Sequence, residues 1–246
     1  MLIRCICSDF YKMKRTPILW LHIAAPLIGA FAFLWYYSIT SNNQPLGRIN
    51  TFLEVLCIVF PMLIGVLCGM TAAQEEQAGS YQIMLAGTKS RVTAYLSKLL
   101  LLLILSAFSV ALAIGVFAAG YHAASARLYL HAAFAVWGGY VFLYVLHLFV
   151  SFRLGRGASI GLGIFGALIS ALMLTGLGDN IWHWMPWAWS VRICSNMIYA
   201  IQTPSVASLA AADIQYGVYV CTAATVLSII ISLLWFWYWD GSKTNE

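Results

Sequence analysis

The chain has 246 residues, a formal net charge of +5, 62% hydrophobic residues and only 9% charged ones. That excess excludes an ordinary soluble globule, and the length leaves no room beside the apolar stretches for a separate soluble domain. The positive balance does not point to nucleic acid: the basic residues are scattered near the ends of apolar stretches, where anionic lipid headgroups account for them.

In chain order, residues 1–15 mix Leu2, Ile3, Cys5, Ile6 and Phe10 with Arg4, Asp9, Lys12 and Lys14. This pattern predicts an amphipathic helix lying along a membrane surface. The apolar run that follows is too long for the h-region of a cleaved signal peptide and lacks a clear small-residue cleavage site. Six apolar stretches then follow at 17–39, 51–73, 99–121, 129–151, 158–177 and 216–239. Each is about the 20 residues that an α-helix needs to cross the hydrocarbon core, and only a helix satisfies its own backbone there. The expectation is an all-α integral membrane protein: an interfacial helix at 1–15, a six-span unit at 16–240 and a short tail at 241–246.

Basic residues fall in every second gap. Arg4, Lys12, Lys14, Arg15, Lys89, Arg91, Lys98, Arg153, Arg156 and Lys243 lie on one side, and Arg48, Arg127 and Arg192 on the other. The positive-inside rule then predicts that both termini are cytoplasmic. Trp35, Tyr36 and Tyr37 suit the outer interface, and Trp235, Trp237, Tyr238 and Trp239 the inner one. Segment 176–204 resembles a seventh span, but it carries Asp179, His183, Pro186, Arg192 and Asn196. An arginine at mid-bilayer costs about 2.5–3.5 kcal/mol, and an extra crossing would place Lys243 outside. One or two short interfacial or re-entrant helices, anchored by Trp182, Trp184, Trp187 and Trp189, are expected instead.

Catalytic motifs are scarce. Gly161, Gly163 and Gly166 match G-x-G-x-x-G literally, but inside an apolar span rather than between a strand and a helix. Close helix packing explains them better, as it does the G-x-x-x-G pairs Gly157/Gly161 and Gly65/Gly69. Gly87-Thr-Lys89-Ser90 has the tail of a P-loop without its first glycine. If ATP is used, another polypeptide hydrolyses it. Cys5 and Cys7 lack nearby ligand partners, and no structural disulfide or metal site is expected among the six cysteines.

Glu54 is the only formal charge well inside an expected span. It is either a functional intramembrane carboxylate or a side chain that reaches the outer interface or meets Arg48. His22, His131 and His147 read as neutral histidines bonded within the bundle, since a proton relay would want carboxylates and only Glu54 is at hand.

The most informative loop follows the second span. Glu75 and Glu76 close that span, Gln77 and Gly79 follow, and a two-turn helix over 79–86 would put Tyr81, Met84 and Leu85 on one face. Such an element either docks into a groove or rests on the membrane surface.

Several stretches carry a family resemblance: Ser8-Asp-Phe-Tyr-Lys-Met-Lys-Arg-Thr-Pro17, Gln74-Glu-Glu-Gln-Ala-Gly79, Ser97-Lys-Leu-Leu100, and Leu174-Thr-Gly-Leu-Gly-Asp179 with Pro186-Trp-Ala-Trp189. With the order of elements, they make the chain resemble the membrane subunits of type-2 ABC exporters. It looks most like the lantibiotic-protection ABC transporter permeases of the MutG kind. The resemblance implies a non-catalytic translocation subunit in the cytoplasmic membrane, exporting lantibiotic-type peptides and so giving immunity or resistance. It implies an ABC ATPase partner, in two copies and carrying the ATP and Mg²⁺, together with a second homologous permease or a second copy of this chain. Residues 79–86 would be the coupling helix seated in the ATPase, with Glu75, Glu76, Gln77, Gly79, Tyr81, Met84 and Leu85 at the contact. Glu54, Asp179, Trp187, Trp189 and Arg192 are the candidates within and outside the membrane, the tryptophans either meeting the peptide or anchoring the loop. The alternatives are an exporter of another hydrophobic drug or lipid, and an immunity or sensor protein that binds peptide without transport.

Overall fold

The structure, a computed structural model, describes residues 1–40, 44–86 and 90–241. Among them, every regular element is helical. In order these are α1 (Leu2–Met13), α2 (Pro17–Ile39), α3 (Pro45–Gln77), α4 (Gln82–Ala86), α5 (Arg91–Gly120), α6 (Ala126–Leu154) and α7 (Arg156–Leu172). Three 3₁₀ turns (Gly176–Gly178, Trp182–Trp184, Pro186–Ala188) lead to α8 (Trp189–Gln202), and a fourth (Pro204–Val206) to α9 (Ala207–Tyr238). Helices α2, α3, α5, α6 and α9 are long and apolar enough to cross a membrane, whereas α7 is apolar but shorter.

Local chemistry sets several boundaries. Thr16 has extended backbone and its Oγ1 accepts from Ile18 N at 3.4 Å, with Pro17 preset for the first helical position of α2. Ser125 caps α6 in the same way through Leu128 N. Gly155, at φ +87°, lets the chain turn from α6 into α7 in a single residue.

Helix α7 ends five residues before the expected end of the fifth span. At 17 residues it is about 26 Å long, less than the hydrocarbon thickness of about 30 Å. The cause is visible at its C-terminus. Arg192 of α8 donates through Nε to Met173 O and through Nη2 to Thr175 O, satisfying carbonyls that a longer helix would have used. A Cβ on Gly178 would strike Met173 O, so only glycine allows this turn to close.

Helices α3 and α7 are in backbone contact. A Cβ on Gly65 would lie 2.5 Å from Ser159 O, and one on Gly163 2.7 Å from Pro61 O. The approach is so close that Ser159 Oγ donates to Gly65 O at 3.0 Å, and His147 Nδ1 of α6 lies 3.1 Å from the same hydroxyl. Gly65 and Gly69 therefore form a packing surface, against Ser159, Gly163 and Arg156. Gly157 and Gly161, the other pair expected as a packing surface within the chain or against a partner, have nothing of this chain within reach of a Cβ. His22 and His147 are both buried: His22 Nδ1 lies 2.8 Å from Ile18 O, within its own helix.

Aromatic layers fill the bundle. Phe52 stacks on Phe117 at 3.9 Å and Phe60 on Tyr140 at 5.1 Å. Helices α2 and α9 instead turn Trp20, Ile28, Phe31, Leu227, Ile231 and Leu234 outward. A broad exposed apolar surface of this kind suits lipid rather than water.

Candidate functional site

Helices α1, α3 and α5 meet at the end of the bundle that holds the chain's N-terminus, and they meet through charge. Lys98 of α5 is 2% exposed. Its Nζ lies 2.7 Å from Asp9 Oδ1 on α1 and 2.8 Å from Glu75 Oε1 on α3. Lys12 reaches the same Glu75 oxygen at 3.0 Å, and Ser97 Oγ donates to Asp9 Oδ2 at 2.6 Å. Asp9 and Lys12 are one helical turn apart, so both reach inward from one side of α1. Two cations and two carboxylates balance. That balance matters, because an unpaired buried charge is far more costly than a paired one. The seam joins three helices that are distant in sequence into one body.

Beside the seam the chain leaves α3 by an abrupt turn. Gly79, Ser80 and Tyr81 have φ of +138°, +48° and +68°. Two of these are non-glycine residues in the left-handed region, a conformation held only by its surroundings. Tyr81 supplies the hold. It is 2% exposed, its hydroxyl donates to Glu76 Oε2 at 3.2 Å, and its ring packs on Phe152 and Trp239 at 5.7 and 5.0 Å. Burial, reinforced by the Glu76 carboxylate, pushes the phenol above its ordinary pKa, so Tyr81 stays a donor at any physiological pH. Arg91 Nη1 donates to Trp239 O at 2.8 Å and Gln82 Nε2 to Asp240 O at 3.3 Å, which brings the end of α9 to the same corner.

This geometry corrects the expected helix over 79–86. The left-handed run delays the helix to Gln82–Ala86. Tyr81 and Met84 do share a face, but that face is buried against the chain itself, and Leu85 is partly buried. Gln77, Ala78, Gly79, Ser80, Gln82, Ile83 and Ala86 are exposed, with Ile83 60% exposed. Glu75 lies within the seam and Glu76 beneath Tyr81. The pairing of Asp9 with Lys98 was not anticipated. The available signal was a lone lysine entering the third apolar stretch, with a lone aspartate in the N-terminal helix. Gly87 to Lys89, with their P-loop-like tail, and residues 242–246 of the expected tail lie outside the described residues.

The opposite end holds the remaining candidates in separate places. Glu54 accepts from Asn50 Nδ2 at 2.7 Å and from Ser195 Oγ at 3.1 Å. It does not meet Arg48, which instead bonds Tyr37 O and Thr40 O and lies over the Tyr37 ring. Asp179 and Arg192 come together at 2.8 Å. Trp187 is half-buried, seated on Gly166, and its carbonyl accepts from Ser170 Oγ at 2.7 Å. Trp189 is buried and donates to His183 O at 2.7 Å. Trp182 is buried as well, against Gly217, so these two indoles are internal wedges rather than membrane anchors; Trp184 remains exposed. Trp239 and Tyr37, expected at the interfaces, also turn inward. A cluster not anticipated from the sequence centres on Asp213. Its carboxylate accepts from Trp182 Nε1 at 3.2 Å and Asn196 Nδ2 at 2.8 Å, and lies 2.8 Å from His183 Nε2. Cys57, Cys68, Cys194 and Cys221 are buried free thiols, and Cys7 is exposed.

The model of the ABC-2 family transporter protein matches residues 5–171, more than half of the chain, and the chain belongs to that family. The match spans α1 to α7, including every residue of the charged seam. No curated protein and no solved structure matches the chain. It is thus a multi-pass membrane protein of the ABC-2 transporters, the membrane component that works with a separate ABC ATPase.

Proposed function

We infer that this chain is the six-span translocation subunit of an ABC exporter, its fifth crossing made by α7 with the turns that follow it. Both termini lie in the cytoplasm in this reading, which the distribution of lysine and arginine supports. The ATPase, two copies carrying ATP and Mg²⁺, presses on the exposed side of the turn and α4: Gln77, Gly79, Gln82 and Ile83. Tyr81, Met84 and Leu85 hold that element from behind, and Glu75 and Glu76 fix its base. A second homologous permease, or a second copy, completes the translocation path. The cargo is a lantibiotic-type peptide drawn from the cytoplasmic membrane to the outside, which gives immunity; the motif resemblance supports that choice, and export of another hydrophobic drug or lipid is the alternative.

The observation that carries this account is the charged seam. A push on α4 reaches α3 through the rigid Glu76–Tyr81 turn, and Glu75–Lys98–Asp9 hands it to α5 and α1 as one body. Energy enters by differential stabilisation of two packings, with no bond chemistry in this chain.

Ile83 tests the contact, because its exposure makes it removable without loss of fold. Ile83→Asp should lower co-purification of the ATPase about tenfold or more, as for a contact at the centre of an interface. Membrane insertion and melting temperature should not change. An unchanged yield of ATPase would place the docking contact elsewhere.

A further inference from the structure

A cavity of about 710 Å³ opens between α1, α4 and α5, directly over the charged seam. Its two halves differ in chemistry. Along α1 it is lined by Arg4, Ser8 and Lys12, with Asp9 and Lys98 at the floor. On the other side lie Ile83, Met84 and Ala94. Asp9 offers little repulsion to an anion, since its two oxygens are occupied by Lys98 and Ser97. Lys12 spends one bond on Glu75 and is 40% exposed at its side chain, which leaves donors for a ligand. Arg4 is exposed and has no ion-pair partner among the described residues. Arg4, Lys12 and Lys98 against Asp9 and Glu75 leave one net positive charge around the cavity.

We propose that this cavity binds an anionic phospholipid, its phosphate held by Arg4, Lys12 and Ser8 and the start of its acyl chain lying against Met84 and Ala94, below the exposed tip of Ile83. The volume falls in the range of sites that take small amphiphiles. Basic pockets at the cytoplasmic ends of membrane helices suit anionic headgroups. The outer side of α1 carries Ile3 and Phe10 exposed, which sets this helix at the depth of the lipid headgroups rather than in free solution. A lipid there would wedge α1 against α4, so the composition of the leaflet would tune how firmly the coupling element is held. The site rests on the orientation given above, in which this end of the bundle faces the cytoplasmic leaflet.

The test is retention of lipid by the purified full chain in mild detergent, measured by native mass spectrometry. It needs neither transport nor ATPase, so its failure is separable from failure of the exporter account. Phosphatidylglycerol and phosphatidylcholine of equal chain length are compared, with inorganic phosphate as competitor. One phosphatidylglycerol should be retained in preference to phosphatidylcholine. Arg4→Gln should reduce that retention about fivefold, the worth of one basic residue near a membrane surface. Lys14→Gln, exposed just past the end of α1 and outside the cavity, should change nothing. Equal retention of the two lipids, or full retention by Arg4→Gln, overturns the proposal. Displacement by millimolar inorganic phosphate means that the site takes phosphate alone and overturns the lipid assignment. A complex with the ATPase in which an acidic segment of that partner sits on Arg4 and no lipid is retained would do the same.

Discussion

Lys98→Met should destabilise the protein by about 3–5 kcal/mol, the cost of leaving a buried charge cluster without its partner. The cation at 98 faces two carboxylates at 2.7 and 2.8 Å and is almost wholly removed from solvent. Without it, Asp9 keeps Ser97 and Glu75 keeps Lys12, which leaves two buried negative charges and one cation. The cheapest relief is for α1 to swing away and hydrate Asp9. The variant should therefore melt well below wild type in detergent and should expose α1 to protease. The triple variant Asp9→Asn, Glu75→Gln, Lys98→Met should recover most of the melting temperature, because removing the buried charges together is often near neutral and Lys12, 40% exposed at its side chain, can turn to solvent. If the triple variant is stable but uncoupled from its ATPase, the seam transmits force as well as holding the fold. A single variant that melts like wild type would mean that the seam is solvated and carries no load.

Alanine at Gly65 and at Gly161 should act with opposite sign. These are nominally the same change, a glycine within an apolar helix gaining a methyl group. At Gly65 the methyl would lie 2.5 Å from the backbone oxygen of Ser159 and 3.3 Å from Gly163 Cα. Backbone cannot swing aside as a side chain can, so α3 and α7 must part, with a cost of about 1–3 kcal/mol. The Ser159 to Gly65 bond and the adjoining His147 contact would be lost with it. At Gly161 nothing lies within 4 Å, and the gain in helix preference should stabilise by about 0.5–1 kcal/mol. Paired melting curves in one detergent decide the matter; a fall at both positions would show that α7 packs by its other face.

The long apolar helices were largely legible because length and hydropathy are one-dimensional signals. The expected stretches 17–39, 51–73 and 129–151 lie wholly within α2, α3 and α6. What a linear pattern could not carry was direction around a helix. Two G-x-x-x-G pairs were visible, but only the three-dimensional arrangement shows that Gly65/Gly69 meet α7 while Gly157/Gly161 face away. Spacing likewise placed Tyr81, Met84 and Leu85 on one face, but spacing does not say whether an apolar face seeks a partner or its own chain, and here Tyr81 and Met84 are buried and Leu85 partly so. The left-handed backbone at Ser80 and Tyr81, which shortened α4, has no signature in those residue types. The seam was hidden because its members sit at positions 9, 12, 75 and 98, far apart in the chain, and meet only when the three helices are brought together.

At the centre of this account stands a membrane subunit that is moved by a separate ATPase. The direct measurement is cargo release from lipid vesicles that hold this chain together with its co-purified ATPase. Release should require hydrolysable ATP, stop with a hydrolysis-dead ATPase, and be absent from vesicles that hold this chain alone. Release of equal rate from the chain alone, with nucleotide withheld, would contradict the account.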